Sequence, residues 1–305
     1  MKKDIIKPNS LKQGDKIGII SPAGAISSPD QLTKTMNLIK DKGYIPVLGS
    51  NATKSYYHNG YNFAGTDKQR QDDLHWAFFS DDIKAVWATR GGYGSVRIRE
   101  TMLDIIKNNK QNKWYMGYSD NTYLESMLLV HGNTKPIYGQ NIINGYNSPD
   151  ITYDKIFNIL AGNIEDYEIP SHKLNDNANI KGMIIGGNAS LIYSMLGTPE
   201  QYNFDEIILY IEDIGESHYS MDRLLNSIKL SLGDKIKAVL VGGMQLNGSD
   251  YDPISYDVVK DVFSSVPKMF GFPNGHITNN QPLIIGSQVS LEIKNTGTSK
   301  LKHIA

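Results

Sequence analysis

The first 140 residues alternate short apolar runs with segments of helical spacing, and this alternation restricts the fold more than any other feature of the chain. Asp15–Ser21 (DKIGIIS) reads as a buried strand ending in the turn Ser21-Pro22-Ala23-Gly24. A helix is predicted over Pro29–Lys42, closed by Gly43. Tyr44–Leu48 reads as a second strand and Asp67–Phe79 as a helix. Ile83–Thr89 (IKAVWAT) predicts a third strand, running into Arg90-Gly91-Gly92-Tyr93-Gly94. Val96–Lys107 has helical spacing, Trp114–Tyr118 is a fourth strand, and the chain turns at Ser119 into a helix over Asn121–His131. Pro136–Gly139 is a fifth strand. Strands alternating with helices in this way predict a parallel, doubly wound α/β sheet.

The pattern weakens between Gln140 and Ile180, where Asn and Asp are dense, with one helix candidate at Ile151–Leu160. Residues 141–180 therefore read as a connection between an N-terminal domain, 1–140, and a C-terminal domain, 181–305. In the second half, Gly187-Asn188 opens a helix to Leu196, Glu206–Glu212 is a strand and Ser220–Ser231 a helix. Ile236–Val241 is a strand, Pro253–Ser264 a helix and Met269–Phe272 a strand. Leu283–Ile285 and Val289–Ile293, with Gly286 between them, suggest a hairpin.

Composition removes several classes of function. The 305 residues carry 31 basic and 32 acidic side chains, which speaks against a general nucleic-acid binder. Cys is absent, so disulfides, zinc-thiolate sites and cysteine nucleophiles are excluded. No apolar run is long enough to span a membrane, and no secretory signal is visible, so the expectation is a cytoplasmic protein. No His-Glu-x-x-His occurs, and Glu212, Asp213, Glu216 and His218 lack the spacing of ligands; neither a metal nor a cofactor is expected.

Four segments can carry chemistry. In Met116-Gly117-Tyr118-Ser119-Asp120-Asn121 a hydroxyl sits on a strand-to-helix turn, at the sheet edge where open α/β sheets bind ligands. Position 121 is Asn, so the esterase pattern G-x-S-x-G is not met, and Ser119 also reads as a helix N-cap. Arg90-Gly91-Gly92-Tyr93-Gly94 satisfies neither the dinucleotide nor the Walker pattern, leaving an oxyanion hole or a tight turn. Tyr210-Ile211-Glu212-Asp213 ends a strand in two carboxylates, and strand alternation lets only one of them enter a given site. His276 follows the turn Pro273-Asn274-Gly275, and a loop His also reads as a surface residue.

These segments come together in one resemblance. The chain resembles the LD-carboxypeptidase family of serine peptidases, which also includes the microcin C immunity peptidases. The likeness runs through GDKIGIISPAG (14–24), FAGT (63–66), RGGYG (90–94), GYSD (117–120), GGN (186–188) with LGTP (196–199), YIED (210–213) with Asp222-Arg223, and Gly275-His276. It implies a flavodoxin- or amidotransferase-like N-terminal domain and a smaller C-terminal α/β domain with a barrel-like sheet. It also implies a Ser-Glu-His triad of Ser119, Glu212 and His276, with the backbone N–H groups of Gly92 and Asp120 as oxyanion hole. The reaction implied is removal of the terminal D-Ala from a peptidoglycan tetrapeptide, L-Ala-γ-D-Glu-X-D-Ala, presented as a muropeptide or UDP-linked, in cell-wall recycling. Such a substrate ends in a carboxylate, for which Arg90 and Arg223 are candidates, with Asn188 a further substrate-binding candidate. The resemblance implies a homodimer. The alternatives are a microcin C-type immunity peptidase acting on a peptide–nucleotide conjugate and a non-catalytic cell-wall peptide-binding relative. Against the immunity reading, the stretch Asp166–Gly186, which would hold an aromatic loop, has no Trp, although it contains Tyr167.

Overall fold

In the computed structural model, which describes residues 4–109, 111–143, 150–246 and 248–304, the chain divides into two compact units, Met1–Asn163 and Ile164–Ala305. The first unit is built from β1 (Lys16–Ile20), α1 (Pro29–Asp41), β2 (Ile45–Leu48), β3 (Tyr56–His58), β4 (Tyr61–Phe63), α2 (Asp67–Phe79) and β5 (Ile83–Ala88). It continues with α3 (Arg99–Asn108), β6 (Trp114–Gly117), α4 (Thr122–Val130), β7 (Ile137–Tyr138) and α5 (Asp150–Ala161). Five strands lie side by side in the order β2-β1-β5-β6-β7, all parallel. The strand order reverses between β1 and β5, the arrangement that opens a crevice at the carboxyl ends of those strands. The Ser21–Gly24 turn and the Arg90–Gly94 loop leave from those two ends.

The apolar runs explain the sheet. Ile17, Ile19, Ala85, Val86, Trp87, Tyr115 and Met116 are all fully buried, so β1, β5 and β6 are covered on both faces, as a doubly wound parallel sheet requires. The helices start where their sequences provide caps. The Ser28 side chain accepts from Gln31 N–H ahead of Pro29, and Gly43 (φ +84°) follows the end of α1. Thr66 and Gln69 form a reciprocal capping box at the start of α2, so part of the FAGT motif is a helix start.

The hairpin β3–β4 does not appear in the sequence reading. Its turn is Asn59-Gly60, both with positive φ (+49° and +79°), the pair that a two-residue hairpin turn favours. The flanking runs are only three residues long, too short to show alternation.

The second unit contains β8 (Tyr167–Pro170), β9 (Ala178–Asn188), α6 (Ala189–Ser194), β10 (Ile207–Ile214), α7 (His218–Leu232), β11 (Ile236–Gln245), α8 (Pro253–Val262), β12 (Lys268–Met269), β13 (Leu283–Ile284), β14 (Gln288–Ile293) and β15 (Thr298–His303). Seven of these strands form a mixed sheet in the order β12-β11-β10-β9-β14-β15-β8. From β12 to β9 the pairing is parallel; from β9 to β8 it is antiparallel.

Two departures from the sequence reading follow from this sheet. Of the stretch 141–180, residues 144–149 lie outside the described residues, α5 fills the helix expected at Ile151–Leu160, and β8 and the start of β9 are strands that the sequence reading lacks. β9 hides in sequence because its two ends have different neighbours. Residues 178–183 pair antiparallel with β14 and alternate in exposure, whereas 183–188 pair parallel with β10 and are buried on both faces. The hairpin expected across Gly286 is also absent: β14 pairs with β15, Leu291 opposite Leu301. β15 (TSKLKH) escapes notice because Ser299 takes one of its buried positions and Leu301 is its one large apolar residue.

Candidate active site

Ser119 follows β6 after one residue, Tyr118, on a single turn of 3-10 helix that leads into α4. Its φ is +66°, a left-handed conformation that costs a non-glycine residue about 1–3 kcal/mol and persists only where the surroundings enforce it. The surroundings here are specific. Ser119 N–H donates to the Tyr138 hydroxyl (3.1 Å), and the Thr122 hydroxyl donates to Ser119 carbonyl (2.7 Å). Gly91 must lack a side chain, since a Cβ there would stand 2.7 Å from Ser119 Cβ and 2.9 Å from its Oγ. The glycine loop after β5 is thus pressed against the hydroxyl-bearing turn after β6.

Asn121, noted in the sequence only as a departure from the esterase pattern, is the knot of this region. Its Oδ1 accepts from the buried Tyr115 hydroxyl (2.6 Å). Its Nδ2 donates to Tyr118 carbonyl (3.1 Å), to Asn141 Oδ1 (3.3 Å) and, at 3.4 Å, to Arg90 carbonyl. A glycine at 121 would make none of these bonds, and Gly117 is required because a Cβ there would meet the Asn121 side chain at 2.7 Å. The signal in sequence was the non-glycine itself: a polar side chain buried at such a turn must have partners. Asp120 turns its buried carboxyl to Ser95 N–H (2.8 Å), and burial holds its pKa above the usual value against that bond.

The glycine loop is tied on its other side as well. Gly24 N–H donates to Gly91 carbonyl (3.1 Å), and Tyr93 N–H donates to the Tyr61 hydroxyl (2.9 Å). The two peptide planes that flank Gly92 (φ +103°) are each fixed by one bond. Buried Arg70 donates to Pro22 and Gly94 carbonyls, joining the loops after β1 and β5. Arg90 donates to Ala25 carbonyl (2.9 Å) and has no carboxylate partner among the described residues.

In the second unit, β10 delivers Glu212 and the loop 273–281 delivers His276. Glu212 is fully buried, and its Oε2 accepts from His276 backbone N–H (3.2 Å) and lies 2.7 Å from ring Nδ1. Gly275 (φ +113°) is forced, because a Cβ would stand 2.7–2.9 Å from Glu212 Oε2, Cβ and Cγ. The loop is braced by Asn274, which accepts from the Tyr210 hydroxyl and donates to Gln281 carbonyl. Burial favours the neutral imidazole, but the charge and hydrogen bond of Glu212, with Asp213 behind it, outweigh burial and raise the His276 pKa above its ordinary value. With Nδ1–H given to the carboxylate, Nε2 is the nitrogen that takes up a proton.

Both carboxylates of the Glu212-Asp213 pair reach one amide, although only Glu212 contacts the imidazole. Asn188 Nδ2 donates to Glu212 Oε1 (3.2 Å) and to Asp213 Oδ1 (3.1 Å). The reason is a register shift of β10 against β11 between Ile211 and Asp213, an irregularity of the kind that re-aims side chains. Asp213 also accepts from Ser190 N–H (2.8 Å), Ser190 hydroxyl (2.7 Å) and Ile214 N–H (2.8 Å). Burial first, then the neighbouring Glu212 charge, pushes its carboxyl up to about 6.

The other expected residues are placed as follows. Asn188, a substrate-binding candidate in sequence, caps α6 by accepting from Leu191 N–H and holds the two carboxylates. Arg223 lies exposed on α7, donating to the Ser220 hydroxyl at 3.3 Å. Tyr167 is buried in the second unit, its ring edge-on to Phe272 and its hydroxyl donating to Pro282 carbonyl. Among the described residues no helix is long and apolar enough to cross a membrane, and no group of three or more His, Asp or Glu is placed to hold a metal ion.

Comparisons with known proteins add the following. A family model described as the LD-carboxypeptidase N-terminal domain matches residues 17–139, and one described as the LD-carboxypeptidase C-terminal domain matches residues 181–291. The chain is 30% identical to the probable murein peptide carboxypeptidase of Bacillus subtilis, over 93% of this chain and 91% of that protein. It is similar to the crystal structure of muramoyltetrapeptide carboxypeptidase from Oxalobacter formigenes, with a TM-score of 0.79, 27% identity, and coverage of 95% and 99%. MccF, solved with glutamyl sulfamoyl guanosine, shares the fold at a TM-score of 0.81, with 21% identity and 98% of each chain covered.

Proposed function

The chain belongs to the LD-carboxypeptidase family and is a carboxypeptidase, and from that premise we propose that it removes the terminal D-Ala from peptidoglycan tetrapeptides through Ser119, His276 and Glu212. The observation that carries this reading is the buried Glu212–His276 pair, with its 2.7 Å contact at Nδ1 and a raised imidazole pKa. Such a carboxylate on one nitrogen gives a general base both a fixed tautomer and a stabilised cation.

The chemistry then runs as follows. His276 Nε2 removes the Ser119 proton as Oγ attacks the carbonyl carbon of X in L-Ala-γ-D-Glu-X-D-Ala. The tetrahedral oxyanion is held by the N–H groups of Gly92 and Asp120. His276 returns the proton to the departing amine, D-Ala leaves, and the tripeptide remains as an ester of Ser119. Water, activated by the same imidazole, hydrolyses that ester. The left-handed Ser119 and the absent side chain at Gly91 support this role, since together they bring a hydroxyl against a glycine loop at the carboxyl edge of the sheet. Arg90 serves the substrate carboxylate, supported by its lack of an ion-pair partner among the described residues. Glu212 is oriented by Asn188.

The burial of Tyr167 supports the cell-wall substrate over a peptide–nucleotide conjugate, because a ring packed on Phe272 offers no face to a base. With that substrate, the enzyme would act in cell-wall recycling. Mass spectrometry of a tetrapeptide incubated with wild type and Ser119→Ala tests the reading. Loss of one D-Ala by wild type, reduced by roughly 10³-fold or more in the variant, is expected. Retention of most activity by Ser119→Ala overturns the nucleophile; cleavage of an aspartyl-adenylate-type conjugate in place of the tetrapeptide overturns the substrate.

A further inference from the structure

The hairpin that the sequence does not announce puts a phenol where a carboxypeptidase needs a donor. The Tyr61 hydroxyl accepts from Tyr93 N–H, and its own hydrogen has no acceptor among the described residues. The half-buried Arg90 guanidinium spends one bond on Ala25 carbonyl and is otherwise unpaired there. These two donors converge on Gly24. From the point where a Gly24 Cβ would stand, Tyr61 Oη is 2.7 Å away and Arg90 Nε is 3.3 Å away, so the two lie no more than about 6 Å apart. The third neighbour of that point, Gly91 carbonyl, is already taken by Gly24 N–H. A span of this size is bridged by one carboxylate accepting a hydrogen bond on each oxygen.

The location fits the chemistry. In an exopeptidase the terminal carboxylate carbon is three bonds from the scissile carbonyl carbon, so its receptor must lie close to the nucleophile. Gly91, whose carbonyl contacts Gly24, is the residue pressed against Ser119. We propose that Tyr61 and Arg90, converging over Gly24, form the anion cradle for the α-carboxylate of the departing D-amino acid, with the Tyr61 O–H as a direct substrate donor. Accepting the Tyr93 N–H makes that phenol a better donor, because hydrogen bonds in a chain polarise one another. Tyr61 packs edge-on against Phe63 and Tyr93, at 4.9 and 5.9 Å between ring centres, which leaves the hydroxyl little freedom to turn away.

This cradle deepens the carboxypeptidase reading and rests on it, and the two are separable by experiment. Tyr61→Phe keeps the ring packing and removes the donor. The variant is assayed on the tetrapeptide and on the same peptide with its C-terminus amidated. On the acid, kcat/KM is expected to fall about 10–100-fold further than on the amide, mostly through KM. An equal fall on acid and amide would show that Tyr61 only braces the Tyr93 peptide, and would overturn the cradle. Calorimetric titration of Ser119→Ala with N-acetyl-D-alanine and N-acetyl-D-alaninamide gives a readout without turnover. Preference for the acid that disappears in Ser119→Ala/Tyr61→Phe sustains the cradle even if wild type leaves the tetrapeptide intact, in which case the reaction is what fails. No preference for the acid in either experiment removes the cradle.

Discussion

The two units hold the side chains of the proposed triad by opposite means. In the first, Ser119 is fixed by neutral bonds and by missing side chains: Tyr138, Thr122 and Asn121 on one side, Gly91 and Gly117 on the other. In the second, His276 is fixed by charge, with Glu212 against its ring and Asp213 behind. Their unused acids differ in the same sense. Asp213 is buried with partners on both oxygens, whereas Glu125 in α4 is fully buried and neither of its oxygens has a hydrogen-bond partner among the described residues. The lesson is that shape sets one half and protonation sets the other. Changes in the first unit should therefore scale activity at every pH, and changes in the second should also move its pH dependence.

The largest test is Glu212→Gln. Loss of the carboxylate removes the charge that holds the His276 pKa up and leaves burial to push it down. Because the proposed base works as neutral imidazole, the acid limb of kcat/KM must shift to lower pH, while the plateau falls by about 10⁴-fold. A limb that stays in place would break the contrast. The same raised pKa gives the pair a stabilising contribution that is complete below about pH 6.5 and is lost as pH rises through the folded value; melting curves across that window check the sign.

Next is Asn121→Ala, which cuts the bonds to Tyr118, Arg90 and Asn141 at once. Misplacing the turn of the proposed nucleophile is expected to cost about 10–100-fold in kcat, with the acid limb unmoved. The smallest effect is on stability alone. Burial raises the Glu125 pKa well above its ordinary value, so between its unfolded value near 4.3 and the folded one the wild type loses stability as pH rises. Glu125→Met escapes that loss. Its gain over wild type should grow from pH 4.5 to pH 8, reaching about 1–3 kcal/mol in denaturant melts, with the pH profile of activity unchanged.

The parallel sheet of the first unit was legible because its strands are buried on both faces and read as unbroken apolar runs. The second sheet was less so, because β9 has an antiparallel neighbour at one end and a parallel one at the other, and β15 offers Ser299 to its core. Ser119, Glu212 and His276 were singled out through local turns and through the family likeness. What supports them was not visible from there. Tyr61 depends on a hairpin three residues deep, Asn121 looked like a defect, and the shared hold of Asn188 on two adjacent carboxylates arises from a register shift that alternation cannot anticipate. Arg223, within a matched motif, lies exposed on α7 with a neighbouring serine as its hydrogen-bond partner.

Glu212 grips His276 twice, once by the ring and once by the backbone N–H, and needs a glycine beside it to come that close. The three residues are consequently a single heritable part. A chimera that exchanges the loop 272–281 between relatives can keep its histidine in sequence and still lose it in space, unless the end of β10 travels with it.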